Sequence, residues 1–320
     1  MRFDRESFFM HCLQKEGVTQ GIGDDCCILL NASPKMYKTH SAHIQSLTHH
    51  CPALFAKSNK SLAIGMDSFC EGVHFLQKWF SPYEIAQKAF MVNHSDMVAM
   101  NAKPLYAMLS IALPKHWERR EIKDFARGVG DFCRLWGIKI IGGDTISAEK
   151  MQIHITYFGL KHKHTLYRDK IAHGSLICCT CDMYPKYALT QSLKNLNMLL
   201  KNPKAKKPKG IFLSPKLRAD FISHCAHFLR GGMDISDGIL SEITRLCALN
   251  HAGFKSFIPL FSAQSRLFLQ SAEVYEMLFA IAPKDLLRAK QIAKKYRIRI
   301  RPLGMLSKKR YKLPPYRKWH

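Results

Sequence analysis

The sequence predicts a protein of the α/β or α+β class. Strand-like and helix-like patterns alternate through both halves, and 320 residues suffice for a sizeable core and about two domains. The composition, 47% hydrophobic and 23% charged, is that of an ordinary globular protein. Residues 1–20 read as a helix and Cys26 to Leu30 as a strand. From Asn31 to Lys60 the chain is polar and rich in His, Ser and Lys, a long loop or insertion. Leu62 to Asp67 is a strand that ends on a carboxylate. Pro82 opens a helix, proline being suited to a first helical position, and Ile85, Ala89, Val92, Ala99 and Met100 mark its apolar face. Leu105 to Leu113 reads as a buried strand stopped by Pro114, and Glu118 to Trp136 as a helix. Ile138 to Ile141 is a strand leading into Gly142, Gly143 and Asp144. Met151, Ile153, Ile155 and Tyr157 alternate with polar residues, the period of a half-buried strand. A basic, His-rich connection near Lys161 marks the boundary between two domains, 1–160 and 161–320. Beyond it come a strand at Leu176 to Thr180 and a helix at Tyr187 to Leu200. Ile239, Leu240, Ile243 and Leu246 carry a helix behind Asp234. A helix within Gln264 to Ala272, a strand at Met277 to Ile281, a helix at Lys284 to Tyr296 and a strand at Arg297 to Leu303 complete the chain.

The functional signal lies in acidic segments. Gly231-Gly232-Met233-Asp234-Ile235-Ser236-Asp237-Gly238 sets two carboxylates three residues apart at a helix N-terminus. Similar segments recur at Gly21-Ile22-Gly23-Asp24-Asp25, Met66-Asp67, Asn93-His94-Ser95-Asp96 and Gly142-Gly143-Asp144-Thr145. Carboxylates in tight turns suit hard divalent cations and the phosphates they carry. Helix capping explains one such segment but not the recurrence. The chain has 49 Lys+Arg against 24 Asp+Glu. With acids this scarce, Asp24, Asp25, Asp67, Glu71, Asp96, Asp144, Asp234 and Asp237 collecting at these segments favours a shared magnesium site over solvated filler. Asp96 falls on the inward face of its helix, where a carboxylate needs a partner. A metal ion would serve, as would a salt bridge to Lys88 or an arginine.

The net charge of +25 suits a nucleic-acid binder, a compositional bias, or steering toward a small anionic substrate. The strongest basic run, Lys201 to Lys209, holds two prolines and no aromatic residue, which reads as an exposed linker rather than a stacking platform for bases. Nucleic acid is therefore not the expected partner. The N-terminal residues show no secretory pattern and no apolar run reaches the roughly 20 residues that span a bilayer, so a cytoplasmic protein without membrane attachment is expected. Its eleven cysteines read as reduced thiols, and Cys178-Cys179-Thr180-Cys181 as buried strand rather than half a zinc site. The histidines at 40, 43, 49 and 50 belong to a solvated insertion more than to a metal loop.

GIGDDCCILL (21–30), AIGMDSFCEGVHF (63–75), KAFMVNHSDMVAMNAKPLYAMLSIALP (88–114), IIGGDT (140–145) and GGMDISDG (231–238) occur in the order and spacing of the thiamine-monophosphate kinase family. In these segments the chain resembles that family, within the aminoimidazole ribonucleotide synthetase-like superfamily of ATP-binding enzymes. The resemblance covers about 20–160 and 231–250 and is thin elsewhere. It implies an N-terminal α/β domain whose sheet pairs with a second subunit, giving a homodimer, and a C-terminal α/β sandwich, with nucleotide bound along the cleft between them. It implies in-line transfer of the ATP γ-phosphoryl group to thiamine monophosphate, giving thiamine diphosphate, with several Mg2+ ions between the polyanions. The implied metal cage is Asp24, Asp25, Asp67, Asp96, Asp144, Asp234 and Asp237. Gly143, Ser236 and Arg168 would approach ATP. His74, Glu273 and an aromatic tail residue, Tyr316 or Trp319, would contact the substrate, an aromatic face suiting a cationic thiazolium. No Walker-type loop and no Ser-His-Asp or Cys-His arrangement is evident.

Several positions depart from the family pattern. Gly65-Met66 stand where Ser-Thr is usual, removing two hydroxyls. Ser271-Ala272-Glu273-Val274 replaces Gly-Gly-Glu-Asp. Cys181-Asp182-Met183-Tyr184-Pro185 stands for a glycine-rich segment, and the loop at 31–60 is long. Metal and nucleotide binding are thus better supported than the acceptor. The rivals are another ATP-using enzyme of the superfamily and a non-catalytic basic anion- or nucleic-acid-binding protein. The cysteine-bearing segments of the selenophosphate-forming and hydrogenase-maturation relatives are missing from the expected places.

Overall fold

A computed structural model describes residues 27–29, 61–182, 212 and 214–315. The helix expected over 1–20, Asp24 and Asp25, the loop at 31–60, the helix at 187–200, the basic run at 201–209, Tyr316 and Trp319 lie outside the described residues. The class is mixed α/β. Strands β1 (Cys27–Leu29), β2 (Leu62–Cys70), β3 (Lys103–Pro114), β4 (Lys139–Ala148) and β5 (Gln152–Leu160) form a sheet in the order β1-β2-β5-β3-β4. Its pairs are antiparallel except β3 with β4. Helices α1 (Pro82–Ala99) and α2 (Arg119–Trp136) belong to the same half. Strands β6 (Leu176–Asp182), β7 (Leu229–Asp234), β8 (Gly253–Ser256), β9 (Met277–Ile281) and β10 (Ile298–Ser307) form a second, antiparallel sheet in the order β7-β9-β6-β10-β8. Helices α3 (Ala219–Cys225), α4 (Ile239–Leu249), α5 (Ala263–Leu269) and α6 (Leu286–Lys295) complete that half.

The cores follow from side-chain periodicity. On β5, Ile153, Ile155 and Tyr157 point into the first core while their neighbours stay partly exposed. On β6, Cys179 enters the core containing α4 and α5, and its neighbour Cys178 enters the opposite core containing α3 and α6. Cys70, Cys133, Cys178, Cys179, Cys181, Cys225 and Cys247 are free thiols. Met277 to Ile281 are all buried because β9 is covered on both faces. α1 begins in a capping box: the Ser81 hydroxyl accepts the Glu84 N–H, the Glu84 carboxylate accepts the Ser81 N–H, and Pro82 takes the first turn. Its body packs in the first core, while Val98 and Ala99 at its end pack with the second sheet. One helix therefore spans both halves, and the candidate site lies along it.

Two expected turns are not turns. β2 continues past Asp67 to Cys70. Asn93 to Asp96 lie inside α1, as the helix read from Pro82 requires. Gly142-Gly143-Asp144 lies within β4, beside a register irregularity between Ala107 and Met108. Glycine at 143 marks a close approach of strands: at φ +146°, an added Cβ would stand 1.8 Å from the Leu109 carbonyl oxygen. The strand β8 and helix α3 were not expected, and β7 extends through the glycines before Asp234.

His94 is a liability within α1. It is buried against Trp136, Phe132 and Tyr157, and its Nδ1 has no hydrogen-bond partner. Burial lowers its pKa to about 3. The folded chain thus refuses a proton that the unfolded chain accepts below about pH 6.5, so this residue lowers stability progressively as pH falls through that range. His94→Leu should raise stability by about 1–3 kcal/mol at pH 7.5. Its advantage should widen at pH 5.5 by roughly 1.4 kcal/mol per unit below 6.5. Urea unfolding at both pH values reads this; a variant weaker at both would refute it.

Candidate active site

Carboxylates from the two halves converge where α1 meets the end of β7. Asp67 comes from mid-β2, Asp96 from the last turn of α1, Asp234 from the end of β7, and Asp237 from the bend before α4. Their grouping shows in their electrostatics. Burial pushes Asp67 up to about 7, opposed by a hydrogen bond from the Ser68 N–H, with Asp234, Glu273 and Asp237 adding to the rise. Asp96 is raised well above the carboxylate range by burial and by Asp234 and Asp67. Asp234 is raised by burial, against the Ser95 hydrogen bond and the charges of Arg168 and Arg245. Such a cluster calls for positive charge.

The chain engages one oxygen of several of these carboxylates. Ser68 N–H donates to Asp67 Oδ1 at 2.7 Å. Ser95 Oγ donates to Asp234 Oδ2 at 2.6 Å, and Arg245 Nη2 to Asp237 Oδ2 at 3.2 Å. The Ser95 bond joins the first half to the second across 139 positions. Gly238, with φ +108°, turns the chain into α4. A second segment is laced to this loop: Glu273 N–H donates to the Ser236 carbonyl at 2.8 Å and Tyr275 N–H to the Ile235 carbonyl at 3.0 Å. Glu273 and Tyr275 both hold left-handed backbone, φ 56° and 54°, which non-glycine residues adopt at a cost. Glu273 is thereby fixed beside the Asp237 loop and contributes to the field at Asp67.

The remaining expected residues fall as follows. Arg168 is buried and its charge acts on Asp234 and Glu242. His74 accepts the Cys70 N–H at its Nδ1, 3.0 Å, and stacks on Phe69. This fits a structural histidine at a strand end and, in the neutral ring, puts the proton on Nε2. Asp144 is exposed on β4, opposite Ser110, in a row that alternates with that of Asp67, Ile155 and Leu109. It therefore lies on the opposite face of the first sheet from Asp67. Glu71 is structural, accepting Gln77 Nε2 and the Met151 N–H. Lys88 does not pair with Asp96: its ammonium lies 3.5 Å from the Phe212 ring centre, fully buried and with no hydrogen-bond partner. Its pKa is lowered to about 8 by burial, with Glu273 opposing.

Ser95, Glu242 and Arg245 are site residues that sequence reasoning missed. The signal for Glu242 was present, an acid on the apolar stripe of Ile239, Ile243 and Leu246. Burial pushes it up to about 7 against the charges of Arg245 and Arg168. Among the described residues no three His, Cys, Asp or Glu side chains form a ready-made metal cage. The donors are nonetheless hard carboxylate oxygens, the kind Mg2+ takes singly alongside water and substrate phosphate.

A sequence model for "AIR synthase related protein, N-terminal domain" matches residues 40–160. A thiamine-monophosphate kinase of Buchnera aphidicola subsp. Schizaphis graminum is 27% identical over 299 residues, covering 85% of this chain and 89% of that protein. The corresponding protein of Bacillus subtilis is 27% identical over 225 residues, covering 66% of this chain and 67% of its own length. Among solved structures, one described as "AaThiL complexed with AMPPCP and TMP" superposes with TM-score 0.73 at 21% identity, covering 100% of this chain and 98% of that one. Thiamine-monophosphate kinase from Stenotrophomonas maltophilia superposes with TM-score 0.67 at 19% identity, covering 84% and 93%. These structures share the fold of this chain.

Proposed function

We propose that the chain is a member of the thiamine-monophosphate kinase family, a reading its 27% identity to proteins of that name supports, and that it phosphorylates thiamine monophosphate with ATP, giving thiamine diphosphate and ADP. The observation that carries this reading is the convergence of Asp67 and Asp96 with Asp234 and Asp237 from the other half, with burial raising the pKa of Asp67, Asp96 and Asp234. Its similarity to a structure described as holding AMPPCP and TMP supports the same substrates.

An oxygen of the acceptor phosphate attacks the γ-phosphorus in line, the bond to the bridging oxygen breaks, and ADP leaves. Bound Mg2+ would neutralise charge between the two polyanions. Asp67, Asp96, Asp234 and Asp237 would hold it. Ser95 and Ser68 donate to Asp234 Oδ2 and Asp67 Oδ1, and the second oxygen of each would serve a ligand. Asp24, Asp25 and Asp144 enter the cage on the family resemblance alone. Ser236, Gly143 and Arg168 approach the nucleotide, while His74, Glu273, Tyr316 and Trp319 form the substrate side. Glu273, pinned to the Ser236 carbonyl, would put an acid near a cationic thiazolium.

The proposed domains are 1–160, binding ATP and magnesium, and 161–320, completing the site; the two sheets share no strand. We place the enzyme in the cytoplasm, and no helix among the described residues is long and apolar enough to cross a membrane. It would act as a homodimer through the first sheet, whose far face leaves Met66, Met108 and Ile146 exposed.

Chromatography of thiamine monophosphate and ATP incubated with the protein, with magnesium and with chelator, tests the reaction. Magnesium-dependent thiamine diphosphate with stoichiometric ADP is the expected result. Magnesium-dependent ATP binding without that product would transfer the same cage to another phosphoryl acceptor.

A further inference from the structure

Glu242 lies outside the proposed cage yet is bonded to Asp237 within it. Glu242 Oε1 accepts the backbone N–H of Asp237 at 3.2 Å. Its Oε2 accepts Arg245 Nη1 at 3.1 Å, and Arg245 Nη2 reaches back to Asp237 Oδ2 at 3.2 Å. The three residues close a ring that grips both the main chain and the side chain of Asp237. The neighbouring Gly238, in a left-handed bend, brings no stiffness of its own. A carboxylate on the apolar stripe of α4 is costly to bury, and a hydrophobic residue would pack there more cheaply. What Glu242 gains in exchange is the fixed geometry of a carboxylate at the active site.

We propose that Glu242 and Arg245 are positioning residues that hold Asp237 in the orientation metal binding requires. The inference rests on the magnesium reading above. It makes a prediction that net charge alone does not, because Glu242→Gln removes a negative charge and Arg245→Met a positive one. Positioning predicts that both substitutions weaken cation binding. A pure field effect predicts that they act in opposite directions.

The experiment is a titration of the full chain with Mn2+ in the presence of a non-hydrolysable ATP analogue, with free Mn2+ read by electron paramagnetic resonance. Both variants should lose about tenfold or more in Mn2+ affinity, the usual scale for partners of metal ligands. Thermal melting establishes that each variant is folded. Should Arg245→Met not fold, Arg245→Lys, which keeps the charge but loses the fork that bridges two carboxylates, is read instead and should also bind more weakly. Tighter Mn2+ binding by the Arg245 variant, or unchanged binding by Glu242→Gln, overturns the proposal. A wild-type chain that binds no Mn2+ removes the magnesium reading itself, whereas normal wild-type binding with unaffected variants removes only the positioning role.

Discussion

Asp234→Asn should lose at least about a hundredfold in turnover, the scale on which a preorganised electrostatic group acts, and yet melt no lower than the wild type. Asp234 is buried among like charges, and its carboxylate is raised in pKa by that burial. Asparagine keeps an oxygen for the Ser95 hydroxyl, 2.6 Å away in the wild type. It also removes the charge that the apoprotein stabilises poorly. Activity and stability should therefore move apart, as they do where a site carries strain for the sake of function. Product formation at saturating magnesium, paired with a melting curve, reads both. Near-normal turnover would rule out the proposed cage; lost turnover with a collapsed melting temperature would mean that Asp234 is structural.

Met108→Glu should convert the proposed dimer into monomers. Met108 lies in mid-β3, in the row of Met66 and Thr156, and both methionines are exposed. A twofold interface would bring the substitution in from both subunits and bury two unpaired carboxylates. At roughly 3–5 kcal/mol for a broken buried charge, the dissociation constant should rise a thousandfold or more. Sedimentation velocity decides the matter. A wild-type monomer, or a variant still dimeric at micromolar concentration, would remove this face from consideration.

Much of the fold was legible because its elements obey simple periods. The alternation at 151–157 and the buried run at 277–281 gave strands, and Pro82 gave a helix start. The errors have physical causes. Glycine pairs signal turns, but Gly143 is demanded by a close strand approach, a tertiary fact invisible in local pattern. β8 has only four residues, too few to show a period. In the site, the acids themselves were evident, whereas Ser95 carried no signal because its partner lies 139 positions away. Asp144 was read by its motif, and only the register of β4 shows the face it occupies.

Adjacent residues of α1 have separate duties, Ser95 latching the second half and Asp96 supplying the site. A shift of the helix that loosens one displaces the other. The two halves are thus poor candidates for piecemeal exchange. A chimera joining residues 1–160 to the second half of a distant relative would inherit every acid of the motif and still lack a working assembly, unless the hydroxyl at 95 met its carboxylate. Recombination within this architecture is constrained by the seam before it is constrained by the chemistry.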